Sequence, residues 1–264
     1  MLRTRILTAA VLLPVVAALV LFAPAWLFTI VNALAGLWGL YEVAAMTGAL
    51  HWVALPLFAV VGGVPLFGLL YGGDLGVVGW AVPVIVILMM LSLVGRIEIA
   101  GGGEPFRGPR LVFMGAAYVG LLFPFFSLVR NLPDGIDILL LVILLVVITD
   151  SGAYFVGRFT GRTKLAPNVS PNKTVEGAVG GLLATIVGGW AIVLISGGMW
   201  GIHFALLFFA ITSILAQVGD LAGSALKRAA GVKDSGWIFP GHGGLLDRTC
   251  SLVFPLFFAY YWLR

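Results

Sequence analysis

The sequence predicts an all-α, polytopic integral membrane protein with about nine transmembrane helices. Of its 264 residues, 61% are hydrophobic and 10% are charged, whereas soluble domains carry about 25% charged residues. A helix needs about 20 apolar residues to cross a bilayer, and several uncharged runs reach or exceed that length. This composition excludes an ordinary soluble domain.

Turn signals divide the uncharged runs into individual spans. The Ala23-Pro24 step and the segments 47–52, 72–74 and 196–201 separate neighbouring helices. Each helix between these breaks then has a length close to that of the bilayer core. The predicted spans are 6–22, 25–46, 53–71, 76–95, 111–129, 137–157, 174–195, 202–223 and 244–263.

The basic residues fall mainly on one side of this topology. With a cytoplasmic N-terminus, all of the 15 Lys and Arg residues except Arg130 and Arg264 lie in cytoplasmic segments. Basic loops stay in the cytoplasm, so we predict the N-terminus inside and the C-terminus outside a bacterial inner membrane. These residues are expected to face membrane lipids or a soluble phosphate, and no nucleic-acid partner is expected.

Polar residues are concentrated in three short stretches, 96–110, 158–173 and 224–248, all on the predicted cytoplasmic side. Charge is costly next to lipid, so a dense cluster at the membrane edge indicates a functional site. We expect residues 1–130 to form about five N-terminal helices. Residues 131–264 are expected to form a catalytic region whose site faces the cytoplasm.

The eighth span carries a polar face near its cytoplasmic end. Gln217, Asp220, Ser224 and Lys227 follow one another at three- and four-residue steps, so they share one side of the helix. An oxygen-rich face suits Mg²⁺, which takes carboxylates and keeps water and phosphate oxygens as its other ligands. The alternative for Asp220 is an ion pair with Lys227 or Arg228.

The segment from Ser170 to Gly177 is predicted to open the seventh helix. Ser170 suits an N-cap and Pro171 suits the first helical position. Lys173 would then lie among free N–H groups, where the helix dipole also favours a phosphate. The alternative is a capped helix whose lysine extends to the membrane surface.

Asp150 is a further candidate, because it interrupts the sixth span near its cytoplasmic end. It shares a helix face with Tyr154 and Arg158, and an ion pair with Arg158 is the alternative to a functional role.

The last span begins after a glycine-rich turn, Pro240-Gly-His-Gly-Gly244, with Asp247 and Arg248 in its first turns. Glycines in such a turn can present backbone N–H groups to an anion. His242 is expected to contact a phosphate or a metal-bound water, and a structural role in the turn is the alternative.

Three pairs of glycines lie four residues apart, at 157/161, 177/181 and 219/223. This spacing lets helix backbones approach closely, so acids from different helices can be brought near one another. The same small-residue faces are compatible with a homodimer.

Residues 224–248 combine Ser-x-x-Lys-Arg, a Lys-Asp pair four residues later, and Pro-Gly-His-Gly-Gly-Leu-Leu-Asp-Arg. This combination resembles the C-terminal signature of the phosphatidate cytidylyltransferases, also called CDP-diacylglycerol synthases. The blocks at 150–154, 170–177 and 217–220 also resemble segments of that family. The resemblance extends from about residue 150 to residue 264.

The resemblance implies an enzyme that transfers the cytidylyl group of CTP to phosphatidic acid, giving CDP-diacylglycerol and pyrophosphate. The expected chemistry is in-line attack of the lipid phosphate on the α-phosphorus of CTP, with Mg²⁺ as cofactor and a second cation left open. Asp220 and Asp247 would hold Mg²⁺, with Asp150 and Glu176 as weaker candidates. The expected catalytic residues are Asp220, Asp247, Lys227 and Lys173. The residues expected to bind substrate are Asn172, Lys173, Ser224, Lys227, Arg228, Lys233, His242, Gly243 and Arg248.

The chain departs from the family pattern at Cys250. That pattern ends Asp-Arg-x-Asp, whereas residues 247–250 are Asp-Arg-Thr-Cys. Cys250 would share a helix face with Asp247, and a thiol replaces a hard oxygen ligand of Mg²⁺ poorly. Three alternatives stay open: a catalytically impaired homologue, a related lipid-phosphate nucleotidyl or phosphoryl transferase, and a membrane transporter.

Overall fold

The computed structural model describes residues 2–48, 76–100, 109–195, 202–241 and 243–264. The predicted third span, 53–71, and His242 lie outside these residues. Within the described ranges the chain forms nine helices and a short β-hairpin. The elements are α1 (Leu2–Phe22), α2 (Ala25–Thr47), α3 (Gly76–Ile99), α4 (Pro109–Leu122), α5 (Phe125–Arg130), α6 (Gly135–Thr160), β1 (Lys164–Ala166), β2 (Ser170–Thr174), α7 (Val175–Ile195), α8 (Ile202–Ala229) and α9 (Leu246–Leu263).

The described chain contains six segments that are long and apolar enough to cross a membrane. Large apolar side chains such as Leu183 and Val187 are exposed on their outer faces, as expected for surfaces that contact lipid. The prediction of a helical integral membrane protein is therefore confirmed, with the β-hairpin as an addition. The six segments are Ala25–Thr47, Ala81–Ile99, Arg110–Arg130, Gly135–Thr160, Val175–Ile195 and Ala205–Ala229.

Two helices differ in extent from the predicted spans. A turn at Phe123 and Pro124 divides the span predicted at 111–129 into α4 and α5, and proline has no N–H to donate to a helical ladder. In the other direction, α8 continues to Ala229 and so includes Ser224, Lys227 and Arg228. The polar face predicted for the eighth span is therefore continuous.

The predicted capping of α7 by Ser170 and Pro171 is wrong, although the helix begins within one residue of the predicted span 174–195. Residues 170–174 form strand β2, which pairs antiparallel with β1, and the helix begins at Val175. Thr174 takes the capping role predicted for Ser170, because its Oγ1 accepts the N–H of Gly177 at 3.1 Å. Pro171 is tolerated on a two-stranded sheet, where one edge of each strand is unpaired. Lys173 therefore extends from a strand.

Glycines permit the closest helix crossings around the site. A Cβ on Gly177 would lie 2.7 Å from the carbonyl oxygen of Ala153, so α7 approaches α6 more closely than any larger residue would allow. Cβ atoms on Gly219 and Gly223 would collide with Cys250, so α8 approaches α9 in the same way. The predicted close packing at these glycines is confirmed.

Candidate active site

A polar cavity of about 430 Å³ lies between α6, α7, α8 and the β-hairpin. It collects side chains from parts of the chain up to 70 residues apart, because the glycine-lined crossings hold these elements together. Its polar lining residues are Asp150, Tyr154, Arg158, Asn172, Lys173, Thr174, Gln217 and Asp220.

An ion pair spans this cavity between β2 and α8. Lys173 Nζ lies 2.7 Å from Asp220 Oδ2, and the two side chains are 26% and 43% exposed. Asp220 therefore pairs with neither of the partners considered from sequence, Lys227 and Arg228. With Asp150 in the same cavity, two carboxylates and one ammonium group share a space that reaches solvent.

The face predicted on α6 is present in the structure. Arg158 Nη1 donates a hydrogen bond to the Tyr154 hydroxyl oxygen at 2.8 Å, and both residues line the cavity with Asp150. The guanidinium thus bonds to the tyrosine at the cavity edge.

Two acids anchor the hairpin that carries Lys173. Glu176 accepts the backbone N–H groups of Arg162 and Thr163, each at 3.1 Å. At the other end of the hairpin, Glu98 of α3 accepts the N–H groups of Asn168 and Val169 at 2.9 and 2.7 Å. The carboxylate of Glu176, a weaker candidate for metal binding, is therefore occupied by backbone groups. Sequence reasoning missed Glu98.

A second polar cluster surrounds Asp247 at the start of α9. Lys227 Nζ lies 2.5 Å from Asp247 Oδ1, and the N–H groups of Ser235 and Gly244 each donate to Oδ2 at 2.9 Å. The glycine-rich turn presents a backbone N–H to a carboxylate of the protein itself, that of Asp247, and its contact with a substrate phosphate stays a prediction. Gly243 has a φ of 82°, a conformation that favours glycine.

Glu42 of α2 belongs to this second cluster and is 2% exposed. It accepts hydrogen bonds from the backbone N–H groups of Leu245 and Leu246 and from the Ser235 hydroxyl. The indole N–H of Trp38 donates to it as well, at 3.1 Å. Sequence reasoning missed Glu42, although it is the only Asp, Glu, Lys or Arg between residues 6 and 73. A lone acid in so apolar a stretch is a recognisable signal.

The two leading acids of the sequence prediction do not share a ligand set. Asp220 pairs with Lys173 and Asp247 pairs with Lys227. In the part of the chain that the structure describes, no three His, Cys, Asp or Glu side chains converge as a metal ion requires. A cation here would need oxygen atoms from water or substrate, as Mg²⁺ commonly does.

The remaining predicted residues lie around these two groups. Ser224 is half-buried one turn after Asp220 on α8. Arg228 Nε donates to the carbonyl oxygen of Val169 at 3.4 Å and so ties α8 to the hairpin turn. Lys233 and Arg248 are exposed, on the loop after α8 and in the first turn of α9.

Cys250 is buried where α8 crosses α9, outside the cavity lining. Its thiol donates to the carbonyl oxygen of Leu246 at 2.5 Å, and it packs against Gly219 and Gly223. The structure therefore places this departure from the family pattern in a helix contact.

Membrane-spanning helices around a cavity that combines carboxylates with basic groups define a membrane-embedded protein suited to binding phosphates. The chain belongs to the Cytidylyltransferase family, whose model matches residues 3–264. The family resemblance seen in the sequence is thus confirmed.

Relatives named phosphatidate cytidylyltransferase align with part of this chain. The protein of Staphylococcus haemolyticus is 41% identical over 170 residues, which is 64% of this chain and 65% of the relative. That of Bacillus subtilis is 42% identical over 153 residues, 58% of this chain and 57% of the relative. That of Staphylococcus aureus strain COL is 42% identical over 151 residues, 57% of each chain. The chain thus spans less than two thirds of the length of these relatives.

Proposed function

We propose that the protein transfers the cytidylyl group of CTP to phosphatidate, giving CDP-diacylglycerol and pyrophosphate. The observation that carries this proposal is the convergence of Asp150, Lys173 and Asp220 in one cavity of a Cytidylyltransferase family member. Carboxylates hold a cation and lysine neutralises phosphate charge in enzymes that transfer phosphoryl groups. The aligned relatives are named phosphatidate cytidylyltransferases, which supports phosphatidate as the acceptor.

The donor set of the cavity fits Mg²⁺. Asp150 and Asp220 supply hard oxygen atoms, and Mg²⁺ typically binds one or two carboxylates while it retains water and phosphate ligands. A cavity of about 430 Å³ has room for those additional ligands. When bound, Mg²⁺ would neutralise charge on the triphosphate and on the departing pyrophosphate. A second cation stays a prediction.

Asp247 has a different role in this proposal. Its two carboxylate oxygens bind Lys227 and the backbone N–H groups of Ser235 and Gly244. We assign it to hold Lys227 in place for the triphosphate, and Lys227 to neutralise phosphate charge from the α8 side. A direct metal contact by Asp247 stays a prediction.

The reaction exchanges one phosphorus–oxygen bond for another. An oxygen of the lipid phosphate forms a bond to the α-phosphorus of CTP, while the bond from that phosphorus to the bridging oxygen of pyrophosphate breaks. No side chain has to remove a proton, because the lipid phosphate is already anionic near neutral pH. Lys173 would exchange Asp220 for phosphate oxygens, and Arg158 and Asn172 would bind the remaining phosphate charge at the cavity edge.

We further propose nine spans, a cytoplasmic N-terminus, an external C-terminus and a bacterial inner membrane as the location. In that orientation most Lys and Arg residues face the cytoplasm, as basic loops do. The cavity then opens to the compartment that contains CTP. A homodimer stays a prediction.

Pyrophosphate release by purified protein in detergent micelles tests the proposed function. Release should require CTP, phosphatidate and Mg²⁺ together, and mass spectrometry should identify CDP-diacylglycerol. Asp150→Asn should lower turnover about 100-fold or more. Asp137→Asn, an exposed acid at the opposite end of α6, should leave turnover unchanged. Equal turnover in the two variants would refute the site, and release with an isoprenoid phosphate in place of phosphatidate would identify a related transferase instead.

A further inference from the structure

We infer that Glu42 is a positioning residue of this site, although it lies in the N-terminal half of the chain and outside the cavity lining. It fixes the loop that leads into α9, and through that loop it fixes Asp247 and Lys227. The inference rests on the proposed function for its effect on turnover, and on contacts in the structure for its effect on the loop.

Glu42 caps α9 from a distant part of the chain. The first N–H groups of a helix have no partner within the helix, and Leu245, at the N-cap position, provides no side-chain cap. Glu42 Oε1 accepts the N–H of Leu245 at 2.7 Å, and Oε2 accepts the N–H of Leu246 at 3.0 Å. The negative carboxylate also faces the positive end of the helix dipole. An acid on α2 thereby determines where α9 begins.

Ser235 connects Glu42 to Asp247. Its hydroxyl lies 2.8 Å from Glu42 Oε2 and 3.2 Å from Asp247 Oδ2, and a hydroxyl donates its one proton to a single acceptor at a time. The backbone N–H of Ser235 meanwhile donates to Asp247 Oδ2 at 2.9 Å. The position of Ser235, and with it one face of the Asp247 carboxylate, is therefore set by Glu42.

The loop closes tightly around the Glu42 carboxylate. A Cβ on Gly236 would lie 2.8 Å from Oε1, and one on Gly244 would lie 2.5 Å from both carboxylate oxygens. A buried carboxylate is stable only where hydrogen bonds replace its water, and Glu42 receives them from the loop, from α9 and from Trp38. The loop and the carboxylate thus hold each other in one arrangement.

This arrangement extends to a proposed substrate-binding lysine. Asp247 Oδ1 binds Lys227, so a shift of the loop moves the partner of Lys227. Small displacements of a group that contacts the reacting phosphates lower turnover steeply. Loss of an outer partner of a site ligand commonly lowers activity about 10- to 100-fold.

The test compares Glu42→Gln with Asn32→Ala in intact protein. Glutamine keeps the shape but has one acceptor oxygen in place of two. Asn32 is the matched control, since it is also buried on α2 and donates to Ser127 Oγ at 2.9 Å, away from the loop. Hydrogen exchange of the amides of residues 243–247 reports on the loop, and kcat/KM for CTP reports on the site.

We expect Glu42→Gln to speed exchange of these amides about five- to tenfold and to lower kcat/KM about 10- to 100-fold. Glu42→Asp, which keeps the charge but is one methylene shorter, should recover part of both losses. Asn32→Ala should change neither quantity, although it lowers thermal stability.

Two results would overturn the inference. Unchanged exchange in Glu42→Gln would show that the carboxylate does not hold the loop, whatever the turnover. Faster exchange with wild-type kcat/KM would show that it holds the loop without positioning the site. If wild-type protein forms no CDP-diacylglycerol, the proposed function fails on its own, and the exchange rates still decide whether Glu42 fixes this loop.

Discussion

Replacing Lys173 by methionine should separate substrate binding from fold stability. The ammonium group lies 2.7 Å from Asp220. Lys173 Nζ itself is buried, but the Asp220 side chain is 43% exposed, so solvent screens the pair from the carboxylate side. Exposed and half-exposed ion pairs stabilise proteins by about 1 kcal/mol or less. Methionine retains most of the apolar length of the side chain, so the free energy of unfolding should fall by no more than about 1 kcal/mol.

The effect on turnover should be much larger. In the proposed reaction Lys173 neutralises charge on a phosphoryl group, and removing one such interaction costs about 2.7–4 kcal/mol of transition-state stabilisation. That corresponds to a fall in kcat of about 10²- to 10³-fold. The fall should appear with CTP and phosphatidate both at saturation.

Lys164→Met is the matched control, because Lys164 lies on strand β1 of the same hairpin, is exposed and is absent from the cavity lining. Pyrophosphate release and thermal unfolding in the same detergent would be measured for both variants. The reasoning is wrong if the two variants lose turnover equally. It is also wrong if Lys173→Met loses turnover only in proportion to folded protein.

Three further predictions concern packing and loop contacts. Gly223→Ala should lower the free energy of unfolding by about 1–3 kcal/mol, because its Cβ would collide with Cys250. The control Gly95→Ala on α3 has nothing within 4 Å of its Cβ and should be neutral or stabilising. Thermal unfolding distinguishes the two variants, and equal melting temperatures would contradict the close approach of α8 to α9 at Gly223. Cys250→Asp should destabilise by about 1–3 kcal/mol in the same assay without raising turnover, because residue 250 is buried in the contact of α9 with Gly219 and Gly223 of α8. A tenfold gain in turnover would favour the impaired-homologue alternative. Glu98→Gln should raise KM for CTP about tenfold, since the hairpin turn that positions Lys173 loses its carboxylate partner. An unchanged KM would show that the hairpin keeps its position without the Glu98 carboxylate.

Six of the nine predicted spans correspond to segments of the described chain that are long and apolar enough to cross a membrane, and they were predictable because their signal is local. Apolar runs of bilayer length and the turns between them require no knowledge of distant contacts. The face of α8 was predictable for the same reason, since a spacing of three and four residues places Asp220 and Lys227 on one side of any helix. The strand before α7 was not predictable in this way, because Ser170 and Pro171 carry a local capping signal that pairing with β1 overrides.

The organisation of the site depends on contacts that no local pattern encodes. Glu42 meets its partners in the loop and in α9 at separations of 193 to 204 residues, and Glu98 meets the hairpin turn 70 residues away. Asp220 and Asp247 were predicted to share one cation, yet each acid has its own lysine: Asp220 pairs with Lys173 of β2, and Asp247 pairs with Lys227 of α8. Only the three-dimensional arrangement of helices decides such pairings.

The contacts of Glu42 and Glu98 bear on how incomplete copies of such a protein should be judged. A fragment that starts at residue 131 would contain every motif by which the family resemblance is recognised. It would lack Glu42, which anchors the loop before α9, and Glu98, which anchors the turn of the hairpin that carries Lys173. A truncated gene product of this kind would therefore contain all the family motifs, although the loop before α9 had lost Glu42 and the hairpin was anchored by Glu176 alone.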